Sequence, residues 1–487
     1  MIINLTTPAL LILNRLLGTA RLICLGLVLL SLLIPVWGSE IAQNVRFRHL
    51  TVDDGLSQDS VYQILQDSHG FVWFATSEGL NRYDGNEFVT YMHDPKKEHS
   101  LSKDWIWSLL ESSDGRLWVG TDGGGLNLLN KDGRTFQHFK HDPKDNNSIS
   151  GNIVRTIIED TTGYLWLGTD SGLNRYSMET GTFERFVADE ANPMSLSSNK
   201  IRAVLQEQHG TLWIGTDGGG LNQMDIGRKT VRHFRHDPQD ENTISSDRIR
   251  TLFESMDGML WIGTYDKGLS RYNPRTGFVK RYHADSGHGL TSNMVRDIMQ
   301  DHRGVLWLAT DNGLFEYRSE SDTFLGYYKE SSNPTSLTNN RVISLFQDEG
   351  KVLWVGTHAG INSWNYQTTS FELFRQSANN PDGLRSNTVL AFTQSDDDTI
   401  WVGTYGGLEK YSQQRGRFEH FGKENGLVDE RITALAVEGN DLWIGTFASG
   451  LMKIDLSTEQ ISHYPPDDAR DNWLKKGGIT SLSVDNE

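Results

Sequence analysis

Val72-Trp73-Phe74-Ala75-Thr76 is the first of nine copies of one phrase: an apolar residue, Trp, an apolar residue, Gly or Ala, then Thr. The Trp of the later copies stand at 118, 166, 213, 261, 307, 354, 401 and 443, at intervals of 45, 48, 47, 48, 46, 47, 47 and 42 residues. Self-similarity at such a period is the mark of a repeat architecture. In a strand, Trp and the small residue two positions later share one face, and the flanking apolar residues share the other. Both faces are then apolar, so the strand is expected to lie between two layers. The small residue on the Trp face is expected to make room for an indole from the neighbouring repeat. The nine Trp at this position read as packing residues, not as ligand-stacking ones.

Working outward, residues Ser198 to Asp237 read as one repeat. Asn199 to Leu205 is a first strand and Gln208-His209-Gly210 a turn, followed by the Trp strand Thr211 to Thr216. Asp217-Gly218-Gly219-Gly220 turns the chain into Leu221 to Asp225, and Thr230 to Arg235 is the fourth strand. Glycine accepts positive φ in such turns. Four short antiparallel strands per repeat, without helical periodicity, predict a blade of a β-propeller. The fold class is therefore all-β: four-stranded antiparallel blades forming one seven-bladed ring plus the start of a second. Val45 to Thr51 reads as a lone fourth strand, suited to finishing the blade of Trp354. Residues 45–367 are assigned to the seven-bladed propeller and 368–487 to the first blades of a second, incomplete one. Ile479-Thr480-Ser481-Leu482 reads as the first strand of a further blade, so the chain looks cut in mid-blade.

The amino terminus differs in kind. Arg15 and Arg21 precede an apolar run from Leu22 to Trp37, with no acidic residue before Glu40. Residues 1–38 read as a secretory signal, or as an uncleaved anchor, with a cut before Ser39. Cys24, the only cysteine, lies inside it, so the mature chain has no thiol for disulfides, thiolate metal sites or nucleophilic catalysis. The formal net charge of −17 becomes −19 once Arg15 and Arg21 leave. An acidic exported protein is a poor nucleic-acid binder, and none is expected as a partner.

The repeat resembles the two-component regulator propeller repeat, most clearly over Asn152 to Tyr176, where Ile157, Asp160, Gly163, Leu173, Arg175 and Tyr176 fill the pattern. The opening Leu50-Thr51-Val52-Asp53-Asp54-Gly55-Leu56-Ser57 also resembles the start of such sensors. The resemblance implies two seven-bladed propellers outside the inner membrane, followed by a β-sandwich, a membrane span and a histidine kinase or diguanylate cyclase output. The nine copies in this sequence, with no second span, no Gly-Gly-Asp-Glu-Phe and no kinase ATP site, imply the sensing part of a receptor whose output lies beyond Glu487. A natural truncation, an incomplete gene model and an independent binding protein all remain open. The implied setting is periplasmic, tethered to the inner membrane in a full-length relative, with a homodimer as a further expectation.

The residue 11 before each Trp is Tyr62, Trp107, Arg155, Arg202, Arg250, Arg296, Ile343, Leu390 and Thr433. Four successive arginines and two aromatics would converge at the mouth of a central funnel. Arg matches carboxylate, sulfate or phosphate in a bidentate way. The candidate ligand-binding residues are thus Arg155, Arg202, Arg250, Arg296, Tyr62 and Trp107, for a small-molecule or oligosaccharide ligand, anionic or a sugar acid. The competing reading pairs each Arg with an acid of the neighbouring blade, such as Asp297 or Asp247.

His93-Asp94-Pro95, His141-Asp142-Pro143 and His236-Asp237-Pro238 read as turn chemistry and not as metal ligands. No cofactor and no metal are expected. Ser112-Ser113-Asp114-Gly115 is similar to a sialidase Asp-box, but no carboxylate pair stands out for catalysis. A non-catalytic sensor propeller is expected. A propeller enzyme acting on acidic carbohydrate and a protein-interaction platform are the alternatives.

Overall fold

The computed structural model describes residues 45–207, 210–366, 374, 376, 383–395, 399–412, 417–470 and 473–484. The leader assigned to residues 1–38 and the boundary at 367/368 lie outside the described residues. The described chain forms nine four-stranded antiparallel sheets, one for each Trp phrase, and we number the blades 1 to 9. Each runs from an inner strand through the Trp strand and a third strand to an outer strand. In blade 4 these are Ile201–Gln206, Leu212–Thr216, Leu221–Asp225 and Thr230–Phe234.

Blade 7 takes its outer strand from the other end of the chain. Arg48–Leu50 pairs antiparallel with Gly360–Trp364, with Arg48 opposite Ser363 and Leu50 opposite Ile361. The contact between blades 7 and 1 repeats the one between consecutive blades. Ser344 Oγ donates to the Val61 carbonyl at 2.9 Å, as Ser108 Oγ does to the Val154 carbonyl at 3.3 Å. Seven sheets thus close into a ring. Non-local pairing of the two ends fixes its circumference without a covalent bond.

The core lies between blades, not within them. Trp118 of blade 2 packs with Val154, Ile157, Leu165 and Tyr176 of blade 3, and Trp354 of blade 7 packs with Val61, Ile64, Phe74 and Tyr83 of blade 1. All five residues of the Trp strand are buried in each of blades 1 to 7. The indole N–H still needs an acceptor when buried. Usually the residue six before Trp supplies it: Trp166 Nε1 donates to Asp160 at 2.8 Å, Trp307 to Asp301 at 3.1 Å and Trp213 to Glu207 at 2.9 Å. Asp160 also accepts the backbone N–H groups of Thr162 and Tyr164, so one carboxylate closes the turn and seats the indole.

The small residue two after Trp has a different neighbour from the indole expected. A Cβ on Gly168 would lie 2.7 Å from Ile201 Cγ2, one on Gly215 2.5 Å from Ile249 Cγ2, and one on Gly356 2.9 Å from the Val61 carbonyl oxygen. The space is filled by the β-branched residue that opens the next blade's inner strand. A flat sheet pressed on a β-branched side chain needs close backbone approach, which glycine allows. The segment Ile479 to Leu482 is not a strand either: it has no ladder partner among the described residues. Ile479 nevertheless seats on Gly445 as its counterparts do, and its N–H donates to the Thr446 carbonyl at 3.0 Å.

Candidate ligand site at the mouth of the first ring

The residue 11 before each Trp owes its position to a backbone irregularity. In all nine blades the register between inner and Trp strands skips it, as between Val154 and Thr156 around Arg155, or Ile249 and Thr251 around Arg250. Such a bulge leaves one residue unpaired and re-aims its side chain. It sits at the start of the inner strand, the end of the blade opposite the turn that precedes the Trp strand.

The structure links four of the six candidates in one chain of contacts and gives Arg250 and Arg296 partners of their own. The Tyr62 and Trp107 rings lie 4.8 Å apart, and the Arg155 guanidinium stacks 4.2 Å from the centroid of Trp107. Arg155 Nη2 is 3.1 Å from Asp170 Oδ2, and Arg202 bridges Asp170 and, at 3.3 Å, Asp217. Arg296 Nε bonds Asp311 Oδ1 at 2.5 Å. Arg250 bonds the Tyr265 hydroxyl at 3.3 Å. Each of these partners is the residue four after Trp, at the start of the loop following the Trp strand. Asp122 stands there in blade 2 and accepts the Trp107 indole N–H at 3.0 Å.

Three of the four arginines therefore carry carboxylate partners, but not those named from the sequence. Asp247 accepts the His236 N–H at 2.8 Å and lies 3.8 Å from Arg235, and Asp297 accepts the backbone N–H groups of Leu345 and Ile298, both at 2.9 Å. The true partners recur as Asp122, Asp170, Asp217 and Asp311 after the phrase's Thr, a periodic signal that was present in the sequence. Sequence reasoning also missed Trp105, which is 39% exposed with its ring 5.6 Å from Tyr62 and 5.3 Å from Trp107.

The electrostatics follow from these pairings. Burial would raise the Asp170 carboxyl, but its bonds to Arg155 and Arg202 hold it below the usual carboxylate range. Asp217 is held down against burial in the same way by Arg248 and Arg202. Burial raises the Tyr62 hydroxyl against the opposing charges of Arg296 and Arg250. Burial and the charges of Arg341 and Arg296 push His358 down, and its Nδ1 lies 2.6 Å from Ser60 Oγ. The mouth is thus a ring of fixed donors and acceptors beside an aromatic wall, and not the bare cluster of positive charge that four arginines suggest.

Other candidate features belong to the scaffold. The His-Asp-Pro histidines point Nδ1 at backbone carbonyls, His93 at Leu101, His141 at Ile149 and His236 at Ile244, at 2.7, 2.8 and 2.9 Å. Ser112 Oγ accepts the Trp118 indole at 3.1 Å and donates to Asp114 at 2.7 Å, so the box-like sequence closes its own turn. An open groove of about 880 Å³ lies away from the mouth, at the outer rim between Asn242, Val279 and Arg281. The matching positions Asn147, Phe183 and Arg185 line a second groove of about 630 Å³, so this hollow recurs with the repeat.

Comparison with known proteins agrees with the repeat and the fold. The Two component regulator propeller profile matches eight times, at residues 55–78, 100–123, 148–171, 195–218, 243–266, 289–312, 336–359 and 383–406. The extracellular domain of the hybrid two component system BT3049 from B. thetaiotaomicron superposes with a TM-score of 0.63 at 25% identity, over 88% of this chain and 62% of that one. The extracellular domain of BT4673 from the same organism gives a TM-score of 0.55 at 24% identity, over 86% and 54%. A segment of 58 residues is 43% identical to Histidine kinase P4 of Formosa agariphila, covering 12% of this chain and 4% of that protein. The chain thus spans less than two thirds of the length of each of these relatives.

Proposed function

Starting from a chain built of Two component regulator propeller repeats and homologous to extracellular domains of hybrid two-component sensors, we propose that it is the ligand-sensing part of a bacterial signal-transduction receptor. It works outside the cytoplasm, in the periplasm, after export by the leader in residues 1–38. It is non-catalytic, and a histidine kinase or diguanylate cyclase output follows in the same polypeptide. A small molecule or oligosaccharide binds at the mouth of the first ring, between the Tyr62–Trp107 wall and the arginines at 155, 202, 250 and 296.

The observation that carries this reading is the bulge. Nine blades re-aim one residue each, and in blades 1 to 6 that residue is aromatic or arginine, whereas Ile343, Leu390 and Thr433 occupy it in blades 7, 8 and 9. A scaffold role is served by any of these types. Chemistry that varies on a constant backbone points to recognition. The acidic box at Ser112 to Gly115 lies at the opposite end of its blade, which disfavours the enzyme reading.

Three measurements test the proposal. Sequencing past codon 487 should show further repeats, a membrane span and an output module in frame, and fractionation should find the product in the periplasmic compartment. A melting-temperature screen against polysaccharide digests should find a ligand that raises the midpoint by a few degrees, with the rise lost in Tyr62→Ala/Trp107→Ala. Multiple turnover of such a ligand would contradict the non-catalytic assignment.

A further inference from the structure

The repeating arginine–aspartate pairing at the mouth is broken once. Where blades 3, 4 and 6 place Asp170, Asp217 and Asp311 four residues after Trp, blade 5 places Tyr265. Arg250 consequently has no carboxylate within 4.0 Å among the described residues, and its hydrogen bond goes to a neutral hydroxyl. Its charge is felt by the buried Asp297 carboxyl, which lies beyond 4.0 Å, so the half-buried guanidinium keeps donors for a ligand, and its fork matches a carboxylate bidentately.

A second departure from the repeat lies on the aromatic wall. Two residues before the bulge position the other blades of the ring carry Ser60, Ile153, Lys200, Arg248, Met294 and Arg341, but blade 2 carries Trp105. Trp105 is 39% exposed and is the one indole among the exposed large apolar side chains of the described residues. An exposed indole braced by Tyr62 and Trp107 is a rigid stacking platform, with low entropy cost on binding. Between platform and guanidinium, Asp122, Asp170, Asp217 and Asp311 supply acceptors for hydroxyl groups. The same carboxylates repel a second negative charge on a ligand.

Building on the proposed ligand site, we infer that the mouth takes a saccharide bearing one carboxylate, with Arg250 holding the anion and Trp105 stacking on the sugar face. The arginines at 155, 202 and 296 then position the acids that read hydroxyl groups and are not the anion receptors.

The test is a ligand-observed NMR titration of the purified chain with D-glucuronate and, separately, D-glucose at constant ionic strength. Glucuronate is expected to bind saturably, and glucose about tenfold more weakly. Arg250→Ala should bring the two affinities together, and Trp105→Ala should weaken both, each with an unchanged melting temperature. Arg250→Gln, which can still reach the Tyr265 hydroxyl, replaces Arg250→Ala if the latter does not fold. Glucose binding as tightly as glucuronate while remaining Trp105-dependent overturns the anion assignment and leaves the mouth as a ligand site. Absence of saturable binding by glucuronate overturns the inference. A ligand from the melting screen whose binding survives Trp105→Ala, Arg250→Ala and Tyr62→Ala/Trp107→Ala overturns the placement at the mouth itself.

Discussion

Blades 1 and 8 are written in nearly the same words, Val72-Trp73-Phe74-Ala75-Thr76 and Ile400-Trp401-Val402-Gly403-Thr404, yet they are buried differently. In blade 1 the inner-strand residues Val61 and Ile64 are 0% and 3% exposed; their counterparts Val389 and Phe392 in blade 8 are 44% and 77% exposed. Trp401 remains buried at 2% because blade 9 follows it and covers the Trp face with Ile432, Leu435 and Leu442. The difference assigns each face its partner: the following blade covers the Trp face, and the preceding blade covers the other. Blade 1 has a predecessor because Arg48–Leu50 completes blade 7 and the ring closes. Blade 8 has none among the described residues.

The largest effect should come from the paired substitutions Ile64→Ala and Phe392→Ala. The first removes a buried branched side chain at the closing interface and should cost about 4 kcal/mol in urea denaturation. The second should stay within about 0.5 kcal/mol of the parent. Equal costs would break the comparison.

Closure is probed next by Gly356→Val. Its Cβ would meet Ser344 Oγ at 2.3 Å and the Val61 carbonyl at 2.9 Å, so it should cost about 3 kcal/mol. Gly445→Val meets Ile479 at 2.6 Å, but that segment has no ladder to hold it. It should yield, at about 1 kcal/mol.

A third effect concerns the indole acceptors. Asp160→Ala leaves the buried Trp166 N–H and two backbone N–H groups without their acceptor, for about 2 kcal/mol. In blade 8 the Trp401 N–H has no acceptor among the described residues. Ser395→Asp, six residues before it, should therefore stabilise blade 8 by about 0.5–1 kcal/mol.

The smallest effect is a pH dependence. Burial raises the Asp297 carboxyl to about 6, despite backbone hydrogen bonds from Leu345 and Ile298 and the Arg250 charge. The folded chain then holds this proton more tightly than the unfolded one. This contribution to stability is greatest below about pH 4, falls as pH rises to about 6, and is flat above. Asp297→Asn should remove the decline and be more stable at pH 7.5 by about 1 kcal/mol, with no difference near pH 4. A melting series against pH reads this directly.

Much of the fold was legible because the phrase encodes two apolar faces, and only stacked neighbours can cover both. The four strands of blade 4 lie within two residues of where the glycine turns and apolar runs put them. The partner of the small residue was not legible, because Gly215 and Ile249 belong to different repeats and meet only after the blades stack. The bulge at Arg250 was equally silent, since a skipped register leaves no mark on a strand's composition. At the mouth the sequence showed which residues recur 11 before Trp. The acids that neutralise three of the arginines lie 15 residues farther along, across a hairpin, so their pairing needed the register.

Burial of the repeated phrase is conferred by the blade on either side, and the first ring supplies both. Thiol labelling under native conditions tests it most directly, in a chain with Cys24 replaced by Ser and a single cysteine placed at Val61 or at Val389. Val61→Cys should react about a thousandfold more slowly than Val389→Cys, because only global opening uncovers it. Comparable rates at the two positions, whether both fast or both slow, would contradict it.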